Sequence, residues 1–423
     1  MRFRSVFPVL LIAAYAPRAA ALSRLNDRQS GPSQRVLGSA VIGADIQDGG
    51  NPCHGKRQLN GFVAFGDSYS AGIGTYVNGT ENECRQGNGA YPVLLESDLA
   101  FLSRPSSPAF SFQWLSCTGS RTEDLLSGSA RSQVDKFNNT PDVDFATLSI
   151  GGNDLGFFDV MNACVFRFYS FYSGTCETAL AVSEEQLTSS AFKLRLGLVL
   201  MEILDKIQWE KRPNFAITVT GYARFFNADT EPCDDMSLGV WWGPAATKMK
   251  RSVRKRMNDL VLAANERLKS GIEEINGRFA RPKVFFVDYD SEFDGHRFCE
   301  PGVQEPDYMS TNTWFFLPAG LDNARDVAPV VETDTISPGS PLVDPETCLA
   351  EAERSGDWGA KVVCYMAMAK KRDPALRPRH DRIMAKDSMW YVPTSYGKTF
   401  HPRSLGHEVI RDRIYKVWDE QGF

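Results

Sequence analysis

Four stretches of the chain are apolar almost without interruption and end in small or turn-forming residues: "GFVAFGD" (61–67), Val143 to Ile150 in "DVDFATLSIGGND", "NFAITVTGY" (214–222) and "KVFFVDYD" (283–290). "FSFQWLSCTG" (110–119) is a fifth of the same design. Such runs lack the polar alternation of a half-exposed strand and suit strands buried on both faces, as in a parallel sheet. Between them the period changes to three or four. Leu187, Ala191, Leu194, Leu198, Met201 and Leu204 predict one helix. Met249, Val253, Met257, Leu260, Ala264, Leu268 and Ile272 predict a second, with a basic, solvated opposite face over Lys248 to Arg256. A last amphipathic helix is expected from Ser404 to Glu420 with Ser404 as its cap.

Strands alternating with helices define an α/β fold with a parallel sheet and right-handed crossovers. Such sheets carry their working residues on loops at the carboxyl ends of strands. Ser68, Gly119 and Asn153 all follow strand-like runs directly. Residues from about 300 to 395 break the pattern, being rich in Pro, Asp, Ser and Gly with one weak helical patch near 345–370. They read as an insertion, a source of a lid or substrate wall.

The ends and the cysteines add a compartment. Arg2 and Arg4, the apolar run Val6 to Ala16 and the small residues Ala19 to Ala21 form a secretory signal peptide pattern over 1–21. That run is too short to span a bilayer, for which about 20 residues are needed, and no other spanning segment is expected. Residues 22–57 read as an N-terminal arm or a propeptide ending at Lys56-Arg57, and 58–423 as the main domain. An exported chain makes disulfides the natural reading of the nine cysteines. Nearest-neighbour pairing joins Cys84 with Cys117, Cys164 with Cys176, Cys233 with Cys299 and Cys348 with Cys364, and leaves Cys53 over. No Cys-x-x-Cys or clustered His/Cys set points to a metal. Asn78 and Asn138 match the N-glycosylation acceptor.

Composition is that of a globular protein, 43% hydrophobic and 23% charged over 423 residues. A formal net charge of −5 argues against a nucleic-acid partner. No serine sits in G-x-S-x-G, and the glycine-rich "GIGTYVNG" fails the dinucleotide pattern at Val77.

Four short blocks remain: Gly66-Asp67-Ser68, Gly119 in "SCTGSRTEDLL", Gly151-Gly152-Asn153-Asp154, and His401-Pro402. In this order they resemble the blocks of the SGNH (GDSL-type) hydrolases, closest in look to secreted actinobacterial and fungal esterases and lipases. The resemblance implies a flavodoxin-like three-layer sandwich and a carboxylic ester substrate, with no cofactor. It makes Ser68 the nucleophile, His401 the general base, and the Ser68 and Gly119 N–H groups with the Asn153 amide the oxyanion hole. Many members carry Asp three residues before the histidine, where this chain has Lys398. Either the main-chain carbonyl of Lys398 orients the ring, as in the dyad enzymes of the family, or Asp381 or Asp387 swings in. Asp67 and Asp154 are expected to hold turn backbone. His54, His296 and His380 lack motif context, and His407 falls inside the last helix. Phe157, Phe158 and the run Phe166 to Tyr172 either line an acyl pocket or belong to the core. A secreted monomeric esterase or lipase is expected; an acyltransferase on the same site and a glycan- or lipid-binding protein on a hydrolase scaffold are the alternatives.

Overall fold

The apolar runs do become strands, and they lie side by side. The computed structural model describes residues 59–76, 82–102, 109–166, 175–238, 247–308, 310–318, 320–323, 345–355, 364–365, 367–368, 371–372 and 394–422. Residues 1–58, Asn78, the segment 167–172, His380, Asp381 and Asp387 therefore lie outside the described residues. The strands are β1 (Gly61–Gly66), β2 (Ser111–Trp114), β3 (Phe145–Ser149), β4 (Ala216–Thr220) and β5 (Val284–Val287). They form one sheet in the order β2-β1-β3-β4-β5, every pair parallel. That is the flavodoxin-like order, whose reversal point lies between β1 and β3. All residues of β1, β3 and β4 are buried, which is why these strands read as continuous apolar runs.

The described helices are α1 (Ser68–Ala71), α2 (Tyr91–Leu102), α3 (Thr122–Leu125), α4 (Gln133–Lys136), α5 (Phe157–Met161), α6 (Cys176–Thr188), α7 (Ser190–Ile207), α8 (Arg251–Asn276), α9 (Cys348–Ser355), α10 (Thr394–Gly397) and α11 (Ser404–Gln421). A single π turn, Asn162–Phe166, continues α5. α11 covers the sheet face bearing Phe145 and Thr218. Trp418 stacks edge-on against Phe145 and donates its indole N–H to Thr218 Oγ1 at 2.9 Å. α7 and α8 pack together as the opposite layer, giving the three-layer sandwich.

Expectations about three helical segments need correction. The helix expected through Leu187 to Leu204 is two, broken at Ser189, which turns extended and caps α7 by accepting from Ala191 N–H at 3.2 Å. Its buried stripe is also different. Leu194 and Leu198 are 65% and 46% exposed, while Phe192, Leu196, Val199, Ile203 and Ile207 face the core. "FKLRLGLVLMEIL" offers apolar residues on every side, so periodicity admits more than one stripe and only the position of α8 selects one. In α8 the basic face is not wholly solvated. Arg254 is fully buried and donates to the carbonyls of Met249, Asn227 and Thr230 and to Asp234. Finally, Ser404 does not cap α11 but is its first residue, and the capping carboxylate comes from Asp322.

Four disulfides form, in the nearest-neighbour pairing. Residues 310–318, which composition assigns to the insertion, are threaded into the body of the domain: Phe315 bridges to Pro402, and Phe316 exchanges backbone hydrogen bonds with Phe400 and His401. No described helix is long and apolar enough to cross a membrane.

Candidate active site

Ser68, Gly119 and Asn153 each stand just past the end of a strand. Ser68 opens α1 directly after β1, with Asp67 as N-cap accepting from Tyr69 N–H at 3.0 Å. As the first helical residue, Ser68 has no intrahelical acceptor for its own N–H. The Gln133 amide clamps Gly66 just before it, accepting from its N–H and donating to its C=O, both at 2.8 Å.

Gly119 follows β2 and is held by its neighbours. Cys117 is tied to Cys84, and Thr118 N–H donates to the Cys84 carbonyl at 3.1 Å. The backbone of Gly119 has φ of +85°, a conformation that other residues adopt only under strain. Asn153 follows β3, and its side-chain amide donates to the Ser120 carbonyl at 3.0 Å. One of its two N–H bonds is left for another acceptor. Asp154 locks the same two segments together. It accepts from Thr122 N–H at 2.9 Å and from Thr122 Oγ1 at 2.5 Å, and Arg195 lies 3.4 Å away. Burial raises its pKa. Asp154 thus acts across the site rather than on its own turn.

His401 comes from the far end of the chain and meets Ser68. Its Nε2 lies 2.7 Å from Ser68 Oγ, and its Nδ1 faces the carbonyls of Lys398 at 3.0 Å and Thr399 at 3.1 Å. Two carbonyls accept one N–H, so Nδ1 carries the proton and Nε2 presents its lone pair to the serine. The Lys398 side chain turns the other way, its Nζ 4.6 Å from the centre of the Phe316 ring. Phe400, next to the histidine, has φ of +63°, rare for a bulky residue. Its backbone is pinned on both sides: its N–H donates to Phe316 C=O at 2.9 Å, and its C=O accepts from Tyr69 Oη at 2.8 Å. The Tyr69 ring also sits 5.0 Å from the imidazole. Burial drives the His401 pKa down to about 4, opposed in part by the two carbonyls.

Asp67 does more than hold its own turn. It accepts from Ser149 Oγ at 3.2 Å and from Tyr222 Oη at 2.9 Å, and burial lifts its pKa to about 7. Sequence reasoning passed over Tyr69, Gln133 and Tyr222. A signal existed for Tyr222, since it ends the run "NFAITVTGY" at the carboxyl end of β4. His407 is buried apart from the serine, its Nδ1 accepting from Tyr91 N–H at 3.3 Å, and His296 stacks on Trp314. Beside Ser68 and His401 a cleft is walled by Phe157, Phe158, Met161, Phe225 and Tyr222. Among the described residues no cluster of His, Cys, Asp or Glu is arranged to hold a metal.

The family model for GDSL-like lipase/acylhydrolase matches residues 62–316, a span that includes Ser68, Gly119, Asn153 and Tyr222 but stops short of His401. Lipase 1 of Streptomyces coelicolor is 32% identical over 266 residues, 62% of this chain and 81% of that protein. A lipase of Streptomyces rimosus is 27% identical over 246 residues, covering 58% and 75% respectively. Among solved structures, phospholipase A1 of Streptomyces albidoflavus is 24% identical with a TM-score of 0.42, over 61% of this chain and 86% of its own.

Proposed function

Because the chain belongs to the GDSL-like lipase/acylhydrolase family, and is a carboxylic ester hydrolase, we propose that it works through an acyl-enzyme on Ser68 with His401 as its base. The observation that carries this reading is the 2.7 Å approach of His401 Nε2 to Ser68 Oγ, with two main-chain carbonyls behind Nδ1. Ser68 Oγ attacks the ester carbonyl as its proton passes to Nε2. The tetrahedral oxyanion is held by the N–H groups of Ser68 and Gly119 and by the free N–H of the Asn153 amide. The imidazolium then protonates the departing alcohol. In the second half, His401 draws a proton from water as it attacks the acyl-Ser68 carbonyl, and the imidazolium returns that proton to Ser68 Oγ as the acid leaves.

The carbonyls of Lys398 and Thr399 take the orienting part of a triad acid. They hold tautomer and ring direction, whose loss in a triad costs about 10⁴ in kcat. The apolar wall of Phe157, Phe158, Met161 and Phe225 suits an aliphatic acyl chain longer than acetyl. The leader pattern and the four disulfides support an exported enzyme.

The test is labelling with a fluorophosphonate probe alongside hydrolysis of acetate and octanoate esters. Wild type should label and prefer octanoate. Ser68→Ala and His401→Ala should lose both activities, while Asp381→Asn and Asp387→Asn keep them within about twofold; labelling that survives Ser68→Ala sinks the reading. Collapse of either Asn variant would instead restore a carboxylate triad.

A further inference from the structure

The loop carrying Ser68 and the loop carrying Asn153 are joined by a hydrogen-bonded path with only one possible direction. Gly152 N–H points to Tyr222 Oη at 2.9 Å, and Tyr222 Oη lies 2.9 Å from Asp67 Oδ2. A backbone N–H can only donate, so the phenol oxygen accepts from Gly152. The single phenol proton is then left for Asp67. Asp67 Oδ1 meanwhile accepts from Tyr69 N–H and Ser149 Oγ. The path therefore runs from the residue before Asn153 to the residue before Ser68.

Tyr222 is itself held from outside the site. Asn265 on α8 brackets its backbone, accepting from Tyr222 N–H at 2.9 Å and donating to Tyr222 C=O at 2.8 Å. The ring stands edge-on to Tyr69 at 5.0 Å and to Phe157 at 6.0 Å, and a Cβ placed on Gly152 would meet its Oη at 3.5 Å. A phenol fixed this firmly sets where the Gly151–Gly152 peptide can sit, one residue before Asn153. The Asn153 amide is placed by that peptide at one end and by Ser120 C=O at the other.

We propose that Tyr222 is a positioning residue for the oxyanion hole, coupling the Asn153 amide to the Ser68 turn through Asp67. The inference rests on the reaction proposed above. It makes a separable claim: the phenol oxygen acts in the transition state, through Asn153, and contributes little to binding of the ground-state ester. A shift of the donor by about 1 Å costs on the order of 10²-fold in rate.

The experiment compares wild type, Tyr222→Phe, Asp67→Asn and the double variant on a p-nitrophenyl ester. It also measures inhibition by an alkyl trifluoromethyl ketone, whose hemiketal with Ser68 places an oxyanion in the hole. Tyr222→Phe should lower kcat by about 10–100-fold with KM within about twofold, and raise the ketone Ki by the factor lost in kcat/KM. Asp67→Asn carries the same test from the other end should the phenylalanine variant fold poorly. An asparagine cannot accept at both positions, so it turns a donor either toward Tyr222 or toward Tyr69 N–H. The double variant should be no worse than Asp67→Asn alone within about twofold, because both changes cut one path.

Tyr222→Phe with unchanged kcat and Ki overturns the inference. So does a loss of kcat matched by an equal loss of probe-titratable sites at unchanged Ki, which marks a folding effect only. Those outcomes leave the Ser68 reading standing if wild type is active and Ser68→Ala is dead. An inactive wild type, or an active Ser68→Ala, strikes that reading first.

Discussion

Among the described residues two main-chain carbonyls and no carboxylate stand behind the His401 imidazole, and the consequence is electrostatic. Two carbonyls fix the ring but supply no full negative charge, so burial dominates and the pKa falls to about 4. The neutral, proton-accepting form is then the ground state across the whole neutral and mildly acidic range. Asp67, with its pKa near 7, titrates inside that range, yet its protonation need not break the site. The new acid proton can point to Ser149 Oγ, which switches from donor to acceptor, while Tyr69 N–H and Tyr222 Oη keep their acceptors. The expected kcat/KM profile is therefore flat from neutrality down to about pH 5. It falls tenfold per unit only below about pH 4, where His401 takes up its proton. An acid limb centred between 6 and 7 in a stopped pH series, on an ester that does not titrate, would contradict this. At this scale the candidates Ser68, Gly119, Asn153 and His401 were legible because each lies in a short block at a chain turn. Tyr69, Tyr222 and Gln133 were not. The place of Tyr222 at the end of an apolar run was visible, but what each of the three does arises from contacts across 331, 155 and 67 residues of sequence.

Elements show the same division between what period and composition reveal and what neighbours decide. Continuous apolar runs announced the strands because a strand buried on both faces leaves no polar position to confuse the period. Helix α7 was placed but its face was not, since leucines occur on all sides of it and contact with α8 chooses among them. The start of α11 is a sharper case. A serine at position 404 looks like a cap, yet Asp322 provides one from 82 residues upstream, accepting from Ser404 N–H at 2.9 Å and Ser404 Oγ at 2.6 Å. The two descriptions rank variants oppositely. With Asp322 as the cap, Asp322→Ala should cost about 1–2 kcal/mol in urea denaturation, in the range measured for lost N-caps. Ser404→Ala, which removes a hydroxyl and leaves the backbone bond in place, should cost about half as much or less. Equal losses would return the cap to the serine. Because α11 begins three residues after His401, Asp322→Ala should also depress kcat more than Ser404→Ala does.

For the whole molecule, the sheet order is what brings three loops of the site together, and it was not readable from the runs themselves. Parallel strands predict crossovers, but only the resemblance of the four blocks implied the flavodoxin-like arrangement that sets β1 between β2 and β3. Enclosing a polar site in such a fold leaves ionisable groups away from water, and these write themselves into the stability curve. Burial raises Asp67 and Glu305 to about 7 and depresses His401 to about 4 and His407 to about 3. A carboxyl with a raised folded pKa stabilises fully below its unfolded pKa and loses that contribution as pH rises toward 7. A histidine with a depressed folded pKa stabilises fully above 6.5 and loses that contribution as pH falls. Between about pH 4.5 and 6.5 the two kinds oppose each other, so their slopes cancel pairwise. Removing one member of either kind should expose the other. Relative to wild type, Glu305→Gln should gain stability with rising pH by about 1.4 kcal/mol per unit across that window, and His407→Gln should lose it at the same rate. The slope is insensitive to any constant packing loss the substitution brings. Urea denaturation at four pH values would read it, and slopes of the same sign for the two variants would refute the burial account of both groups.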